Sequence, residues 1–578
     1  MAGPWLLPGR NMVLALLLTA GRQFGREWNA TPLRHWLLGR PKPEGLGAAP
    51  RDLRPADRDN GRRVLAGAFV VGTASLTPGP QGDPWSQPSP DRRFAVILHR
   101  FDWIGDLTAL GEAGVAEALR LTLEWRRQFG AWNEFAWDPE VLERRLFNLA
   151  CAARTLCAKA SDAETAAIAL DIARQARALL AAPGGPARAA ERAAVAAVAA
   201  TALRGRAADR LLARALARLT KALPLSVLAD GGHASRSPQA ALELLFDLLT
   251  LDDALTQRGE AAPDEMLRAI DRLCAAVRFF TLADGGLAAF QGGEALRGAY
   301  VAAARAAEAD GERPIPPERN GYYRLEARSL QVVADGAAPA IDAWSVAACA
   351  QPLAIEVLAA GRRLIVGGGW SPDGQGPQAM RVVDAASTAS IGDAACGERL
   401  RGFPARVLGP RLVHAWPKVT ARRQEAPGGL WLELMHDGWV RRFGLRHERR
   451  LYIDIEADEL RGEDRFTPAA GRLGALGRRF TPFMVRFHLH PEVSALVARD
   501  KTSVLLKPEG QEHGWWLRND AIEVVIKTSV YYQDGQPRRS QQIVLRGQAR
   551  LDAGARVRWK LSSAAPPPPR VDAEDALA

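Results

Sequence analysis

Residues 189–223 read AAERAAVAAVAATALRGRAADRLLARALARLTKAL, and this stretch decides the class of fold. Its apolar residues recur at positions i, i+3, i+4 and i+7 over many turns, which is the spacing of helices with one buried face. The same period is present in residues 106–129, 137–156, 241–259 and 264–282. Short breakers such as APGGPA and ADGGHASRSP separate these segments. The first half of the chain is therefore predicted to be a succession of antiparallel helix pairs joined by short loops.

Strand-like runs replace the helical period after residue 320. GYYRLEARSLQVVAD (321–335) and HGWWLRNDAIEVVIKTSVYYQD (513–534) are two of them, and Gly, Asp, Asn and Pro lie between successive runs. Strands return every dozen or so residues with no helix between them. This pattern favours an antiparallel β-sandwich over a parallel sheet.

The change of pattern predicts two domains. A helical domain is expected over residues 1–310 and an antiparallel β-sandwich over residues 311–565. The Pro-rich end, residues 566–578, has the composition of a disordered tail. Residues 304–319 are polar and Pro-rich, so they are expected to form an exposed linker.

The overall charge does not by itself define a partner. Lys and Arg number 76 against 65 Asp and Glu, which gives a net charge of +11 among 578 residues. The arginines are interspersed with acids rather than gathered in one block, so nucleic-acid binding is not predicted. An anionic polysaccharide would use the same electrostatics, because Arg pairs with carboxylates and sulfates. No apolar run is long enough to span a membrane, and the five scattered cysteines indicate neither a disulfide framework nor zinc.

The N-terminus supports two interpretations. Arg10 precedes NMVLALLLTAG (11–21), an apolar stretch of signal-peptide length. No tidy cleavage site follows it, and RQFGREWNATPLRHWLL (22–38) continues as an amphipathic helix. A first helix packed on the core is the favoured interpretation. Cleavage would place the protein in the periplasm, and its absence would leave the protein in the cytoplasm.

Several strings resemble the heparinase II/III family of polysaccharide lyases. They include LHRFDWIGDL (98–107), WDPEVLERRLFNL (137–149), DGGHASRSP (230–238), HDGWVRRFGLRHERRLYI (436–453) and FHLHPEV (487–493). Their order along a helical and then all-β chain is more specific than any one of them. The resemblance covers most of the chain and implies an incomplete α/α toroid followed by an antiparallel β-sandwich. It also implies a glycan cleft between the two, a location in the cell envelope or periplasm, and β-elimination of acidic, uronic-acid-containing polysaccharides.

The chemistry of such a lyase needs a base for the C5 proton, an acid for the leaving oxygen, and donors that stabilise the charge developing on the uronate carboxylate. The family's Asn-containing helix start resembles residues 182–194, which contain neither Asn nor His. The tyrosine position resembles Ala240, and the two sandwich histidines resemble Cys349 and Ala386. The positions that the resemblance makes catalytic are therefore vacated in this chain.

Three other residues are then the candidates for catalysis. His233 lies in a Gly-rich loop between two helices, where the alternative role of the loop is to cap the next helix through Ser237. Tyr322 lies at the junction of the predicted domains, and its alternative role is packing. His436 precedes Asp437, which could orient the imidazole, although the same pair fits an Asp-Gly hairpin turn.

Four further residues are candidates for substrate binding. Arg236 follows His233 closely enough to share a glycan carboxylate, and Trp103 belongs to an early tryptophan cluster that could stack on sugars or pack in the core. Arg442 and His447 lie on the strand that is predicted to pair with the one carrying His436. Strand alternation places His447, Arg449 and Leu451 on one face, for which a solvated charged surface is the alternative.

No metal or cofactor is predicted. His488 and His490 form an H-x-H pair on one strand face, but no third ligand is evident in the sequence. The oligomeric state is left open. Two functions therefore remain: a β-eliminating lyase with a rearranged site, and a catalytically impaired glycan-binding or envelope-assembly protein with the same fold.

Overall fold

The computed structural model describes residues 6–308, 314–374, 376–392, 394–413, 418–469 and 480–565. Helices dominate its first half and two short ones lie in the second. They are α1 (Leu6–Asn29), α2 (Pro32–Leu38), α3 (Arg58–Leu65), α4 (Arg92–His99), α5 (Ile104–Thr108), α6 (Glu112–Phe129), α7 (Pro139–Leu156), α8 (Asp162–Ala181), α9 (Ala189–Thr201), α10 (Arg206–Ser226), α11 (Pro238–Gln257), α12 (Asp264–Phe280), α13 (Gly298–Ala306), α14 (Gly402–Leu408) and α15 (Val440–Phe443).

Helix α9 lies at the centre of the helical domain. Every residue from Ala193 to Thr201 is buried, and α7, α8, α10 and α11 all contact this helix. Its alanines and valines let the neighbouring helices approach on all sides, which explains why a helix without a polar face is stable here. Helix α10 buries one face only and lies outside α9.

The second half forms two antiparallel sheets. The strands, with four short ones from the helical domain, are β1 (Gly45–Leu46), β2 (Phe69–Val71), β3 (Ala74–Leu76), β4 (Leu203–Arg204), β5 (Glu318–Arg319), β6 (Tyr322–Glu326), β7 (Leu330–Asp335), β8 (Ile355–Ala359), β9 (Arg362–Val366), β10 (Ala389–Ile391), β11 (Val419–Ala426), β12 (Gly429–His436), β13 (Leu445–Asp454), β14 (Glu459–Pro468), β15 (Phe480–Leu489), β16 (Val493–Val497), β17 (Ser503–Pro508), β18 (Trp515–Asn519), β19 (Glu523–Gln533), β20 (Gln536–Arg550) and β21 (Ala555–Ser563).

Both sheets are open. One has the order β19-β20-β15-β9-β8-β7-β6-β5, with β10 paired to β15, and the other has the order β11-β12-β13-β14-β21-β18-β17-β16. Residues along β13 alternate between buried and more accessible, as expected for a strand with one face in a sandwich core. Apolar side chains from both sheets form one common core. The predicted architecture, helices followed by an antiparallel sandwich, is confirmed.

The predicted domain boundaries are not resolved by the structure. The boundary at residue 310 falls in residues 309–313, and the predicted tail, 566–578, also lies outside the described residues. Among the described residues, the last helix of the helical domain ends at Ala306 and the first strand of the sandwich begins at Glu318.

Buried arginines join the helical domain to the sandwich. The guanidinium of Arg236 donates to Asp335 Oδ1 at 2.6 Å and to the carbonyl oxygen of Ala338 at 2.9 Å. Arg324 donates to the carbonyl oxygen of Phe279 at 2.7 Å, and Arg363 donates to Asp284 Oδ2 at 2.6 Å. These contacts hold the two domains together around a cleft.

Helix α1 departs from the expectation that the first helix packs on the core. Ala15 is its one fully buried residue among those whose side chains are described, and it packs against Val407 and Leu408 of α14. The other residues between 11 and 29 are exposed or partly exposed. No helix within the described ranges combines the length and apolar character that a membrane crossing requires.

Candidate functional site

A cleft of about 810 Å³ lies where the helical domain meets the sandwich. Its walls come from the loop before α3, from α4, α5, α7 and α11, and from residues 294–300. The sandwich contributes residues 371–374 and the turn at Asp534 and Gly535. This is the place where the sequence resemblance puts a glycan cleft.

Carboxylates outnumber arginines along the cleft. The lining contains seven arginines (Arg51, Arg54, Arg93, Arg100, Arg144, Arg188 and Arg297) and ten acidic residues (Asp52, Asp102, Asp106, Glu140, Glu191, Glu243, Asp247, Glu294, Asp373 and Asp534). The positive net charge of the chain is therefore not concentrated here. Electrostatic focusing of an acidic polymer into this cleft has no support from the lining charges.

Ion pairs within the cleft already occupy most of its arginines. Arg54 bridges Glu243, at 2.7 Å, and Asp247, at 3.0 Å. Arg144 donates to the same Asp247 at 2.9 Å. Across the cleft, Arg100 of the helical domain pairs with Asp373 of the sandwich at 2.8 Å. An incoming anion would have to compete with these carboxylates for the guanidinium groups.

Groups suited to acid–base chemistry are few in this cleft. Within the described part of the lining there is no imidazole, and Tyr300 is the single phenol. Burial raises the pKa of Tyr300, so its phenol stays protonated at neutral pH and does not provide a phenolate base. Burial also raises the pKa of Asp102 to about 6. Ala240 lines the cleft at the position where the resemblance implies a tyrosine.

The other two vacated positions are buried. Ala386 is 1% exposed and Cys349 is 3% exposed. Burial raises the pKa of the Cys349 thiol to about 11, so the thiol stays protonated at neutral pH. Neither position supplies a base.

Three of the predicted site residues lie together in the wall behind the cleft. Tyr322 donates its hydroxyl hydrogen bond to the carbonyl oxygen of Arg236 at 2.9 Å, and the Arg236 guanidinium lies over the Tyr322 ring. His233 Nδ1 is 2.7 Å from Ser235 Oγ, and His233 Nε2 is 3.6 Å from Glu191 Oε1. All three side chains are buried, and none lines the cleft. Their contacts are those of residues that hold the domain junction.

His436 and His447 lie elsewhere, inside the sandwich. His436 Nε2 is 3.2 Å from His447 Nδ1, and His447 Nε2 is 2.8 Å from Asp464 Oδ1. Arg449 donates to Asp464 from Nε at 2.8 Å, and Trp559 donates to it from Nε1 at 3.0 Å. Burial lowers the pKa values of both histidines, so the imidazoles are neutral at pH 7. The face that carries His447 and Arg449 is therefore the buried one.

The remaining candidates are also outside the cleft lining. Trp103 is buried and donates from Nε1 to the carbonyl oxygen of Leu98 at 3.1 Å, whereas Arg442 is exposed on α15. His488 is buried against Ser529 and the Asp384 carbonyl oxygen, and desolvation lowers its pKa to about 4. The seven predicted site residues thus do not converge on one site. Over the described ranges, no group of three or more His, Cys, Asp or Glu side chains is placed to hold a metal ion.

A second candidate site, which the sequence analysis did not identify, is the surface of α1 and α2. Its exposed apolar side chains are Met12, Val13, Leu14, Leu16, Leu17, Leu18, Phe24, Trp28, Leu33, Trp36 and Leu37. Val13, Leu17 and Phe24, spaced by four and seven residues, are 57%, 67% and 74% exposed. We call this set the N-terminal apolar surface. The signal for it was present in the apolar stretch and amphipathic continuation of residues 11–38.

Basic residues accompany the N-terminal apolar surface. The first 42 residues contain six cations, at Arg10, Arg22, Arg26, Arg34, Arg40 and Lys42, and a single acid at Glu27. Exposed apolar side chains grouped along two successive helices mark an interaction surface in a folded protein.

Comparison with known proteins defines the class to which this architecture belongs. Residues 315–560 match the family model described as heparinase II/III-like, C-terminal. The fold resembles the crystal structure of heparinase III, with a TM-score of 0.66 and 15% identity over 94% of this chain and 91% of that one. The heparan sulfate lyase HepC from Pedobacter heparinus aligns with a TM-score of 0.54 and 15% identity, over 92% of this chain and 87% of that one. The chain belongs to the heparinase II/III-like family.

One relative has a sequence that is much more similar to this chain than those of the lyases. The chain is 48% identical over 567 residues to FtsZ-localized protein C of Caulobacter vibrioides (strain NA1000 / CB15N), and the alignment covers 98% of each protein. The similarity to the lyases, by contrast, extends to the fold alone.

Proposed function

We propose that this protein is a non-catalytic member of the heparinase II/III-like family that docks on a membrane surface at the place where FtsZ is found. The observation that carries the proposal is the N-terminal apolar surface, which is exposed along two successive helices and accompanied by cations. The proposed location is the side of the membrane on which FtsZ lies.

The form of α1 favours a helix that lies in a membrane interface rather than one that crosses it. Apart from Ala15, its apolar side chains between Met12 and Leu18 are exposed, and Arg22 and Arg26 follow in its C-terminal half. Exposed leucines, phenylalanine and tryptophan bury their apolar area in the headgroup region, while arginines attract anionic lipids. The 24 residues of α1 give a helix about 36 Å long, which provides one extended line of contact.

The cleft supports the non-catalytic part of the proposal. Its ion pairs occupy the arginines that a uronate carboxylate would need, and Ala240 offers no proton acceptor. A relative named for its localisation with FtsZ, rather than for cleavage of a glycan, supports the same conclusion.

Retention of glycan binding in the cleft is the second candidate function. Arg93 Nη1 and Arg100 Nε are buried in its wall and have no hydrogen-bond partner among the described residues. An anionic sugar could satisfy both. The excess of carboxylates in the lining makes this candidate the weaker one.

Vesicle sedimentation tests the proposal. The double variant Val13→Asp/Leu17→Asp should bind vesicles at least 100-fold more weakly than the wild type. Full burial of a Val or Leu side chain contributes about 1.5–3 kcal/mol, and each Asp also adds a charge that resists burial. The fraction of full-length protein that pellets with vesicles containing acidic phospholipid measures the effect.

A matched control variant shows whether vesicle binding depends on the N-terminal apolar surface or on any exposed apolar residue of the protein. Leu496 and Ile522 are exposed apolar residues of the sandwich, at 68% and 79%. The variant Leu496→Asp/Ile522→Asp should bind like the wild type. Equal binding by all three proteins, or no binding by the wild type, contradicts membrane docking through α1.

A further inference from the structure

The outer face of α10 carries a line of cations. Arg206, Arg210, Arg214 and Lys221 are all exposed. The three arginines are spaced by four residues, so they follow one face with a drift of about 40° per step, and Lys221 lies on the same face. We call these four residues the α10 basic stripe. None of the four forms a hydrogen bond or ion pair with any residue that the structure describes.

Stability of the helix does not explain the stripe. Like charges at i and i+4 repel each other and disfavour a helix. The one acid of α10, Asp209, pairs instead with Arg258 beyond the end of α11, at 2.8 Å. The opposite face of α10 already anchors the helix through buried residues such as Leu212, Ala215 and Leu219. A set of cations that the fold neither needs nor neutralises indicates an anionic partner.

Helix α10 is linked to the helices of the N-terminal apolar surface through β1, β4 and α8. Strand β1, seven residues beyond α2, pairs with β4 directly before α10, at Gly45 and Arg204. Helix α8 lies between α2 and α10, since Arg177 of α8 donates to the carbonyl oxygen of Leu38 and Arg218 of α10 donates to that of Leu180. Helix α2, which carries part of the N-terminal apolar surface, and helix α10 therefore both contact the same helix, α8.

We infer that the α10 basic stripe binds the anionic headgroups of the same bilayer on which α1 and α2 dock. The inference rests on the proposed function and deepens it, because it makes the docking selective for acidic lipid and fixes a second contact line. The stripe is a convex helix ridge, which suits a flat, extended anionic surface. Leu225 and Leu228, which are 58% and 40% exposed, follow the stripe and add apolar contacts.

Two contact lines on the membrane restrict the orientation of the protein. A single interfacial helix lets the attached domain rotate about the axis of that helix. A second line of charge on a separate helix holds the helical domain against the membrane. The sandwich is then presented in a restricted set of orientations.

Vesicle binding of the full chain tests the inference. The variant Arg206→Gln/Arg210→Gln/Arg214→Gln removes three of the four cations. Each cation close to an acidic membrane contributes about fivefold in affinity, so this variant should bind phosphatidylglycerol-containing vesicles about 100-fold more weakly at low salt. Its weaker binding to pure phosphatidylcholine vesicles should equal that of the wild type. Its thermal stability should be unchanged or raised, since repulsion along the helix is relieved.

A control variant has the same net charge as the α10 variant. Arg499, Lys507 and Lys527 are exposed cations of the sandwich, and their replacement by Gln should leave vesicle binding close to that of the wild type, apart from a small long-range effect. The inference is overturned if the α10 variant matches this control. It is also overturned if the α10 variant loses binding to polyglutamate but keeps vesicle binding, because the stripe would then belong to an acidic protein partner. Absence of vesicle binding by the wild type would instead refute the proposed function.

Discussion

Heparan sulfate, chondroitin sulfate and alginate are expected to yield no unsaturated product above background when incubated with this protein. Elimination needs a base, an acid and charge-stabilising donors together, and each general acid or base contributes about 10²–10⁴ in rate. Ala240 and Ala386 can supply neither group, and the buried Cys349 thiol has its pKa raised to about 11. Loss of two such groups lowers the rate by about 10⁴-fold or more.

Ultraviolet absorbance of the unsaturated uronate measures this directly, with an active heparinase III as the positive control. Tyr300 is the one phenol of the cleft and Asp102 has its pKa raised to about 6, so these residues are the places where a rearranged mechanism would arise. Rapid growth of absorbance that Tyr300→Phe or Asp102→Asn abolishes would show that the cleft is catalytic. Loss of the signal on His233→Ala would implicate the loop behind the cleft.

Removal of the Asp464 carboxylate should destabilise the full chain by about 3–5 kcal/mol. Asp464 is completely buried and accepts hydrogen bonds from Arg449 and Trp559, with His447 at hydrogen-bonding distance. Although burial opposes ionisation, the Arg449 guanidinium and His447 hold the pKa of this carboxyl well below its usual range. Asp464→Ala leaves the Arg449 charge buried without its partner, which is the costly way to break such a pair.

Denaturant unfolding followed by tryptophan fluorescence measures the loss. The double variant Arg449→Met/Asp464→Leu removes both charges while keeping apolar volume, and it should recover a large part of the lost stability. A change of less than about 1 kcal/mol in Asp464→Ala would show that the network is not a structural element of the sandwich.

The fold was predictable because its signals are local and repeated. The apolar period of residues 189–223 produces α9 and α10, and the alternation along residues 445–454 produces β13. Alternation also placed His447, Arg449 and Leu451 on one face. It could not show which face is buried, because the answer depends on Asp464 of the neighbouring strand.

The candidate site was less predictable because it depends on contacts that are distant in sequence. His233, Arg236 and Tyr322 do lie close together, but their contacts connect the two domains. The carboxylate that Arg236 binds belongs to Asp335, about a hundred residues further along the chain. The excess of acids in the cleft arises from segments spread between Asp52 and Asp534. No local sequence pattern indicates the net charge of a cleft whose lining comes from segments so far apart.

The exposure of the N-terminal apolar surface was not predicted, for a different reason. The apolar stretch of residues 11–21 fits a buried helix as well as an exposed one, since hydrophobicity alone does not report what covers a helix. Ala15 and its contacts with Val407 and Leu408 show how little of α1 the rest of the protein covers.

Localisation in cells distinguishes whether α1 or the cleft directs this protein to its position. A fluorescent full-length fusion is imaged together with FtsZ, at equal expression, as wild type, as Val13→Asp/Leu17→Asp, and as Ala240→Tyr. We expect the wild type and Ala240→Tyr to coincide with FtsZ and the α1 variant to disperse. Membrane docking through α1 is contradicted if the α1 variant still coincides with FtsZ, and dispersal of Ala240→Tyr would show that the cleft directs the localisation.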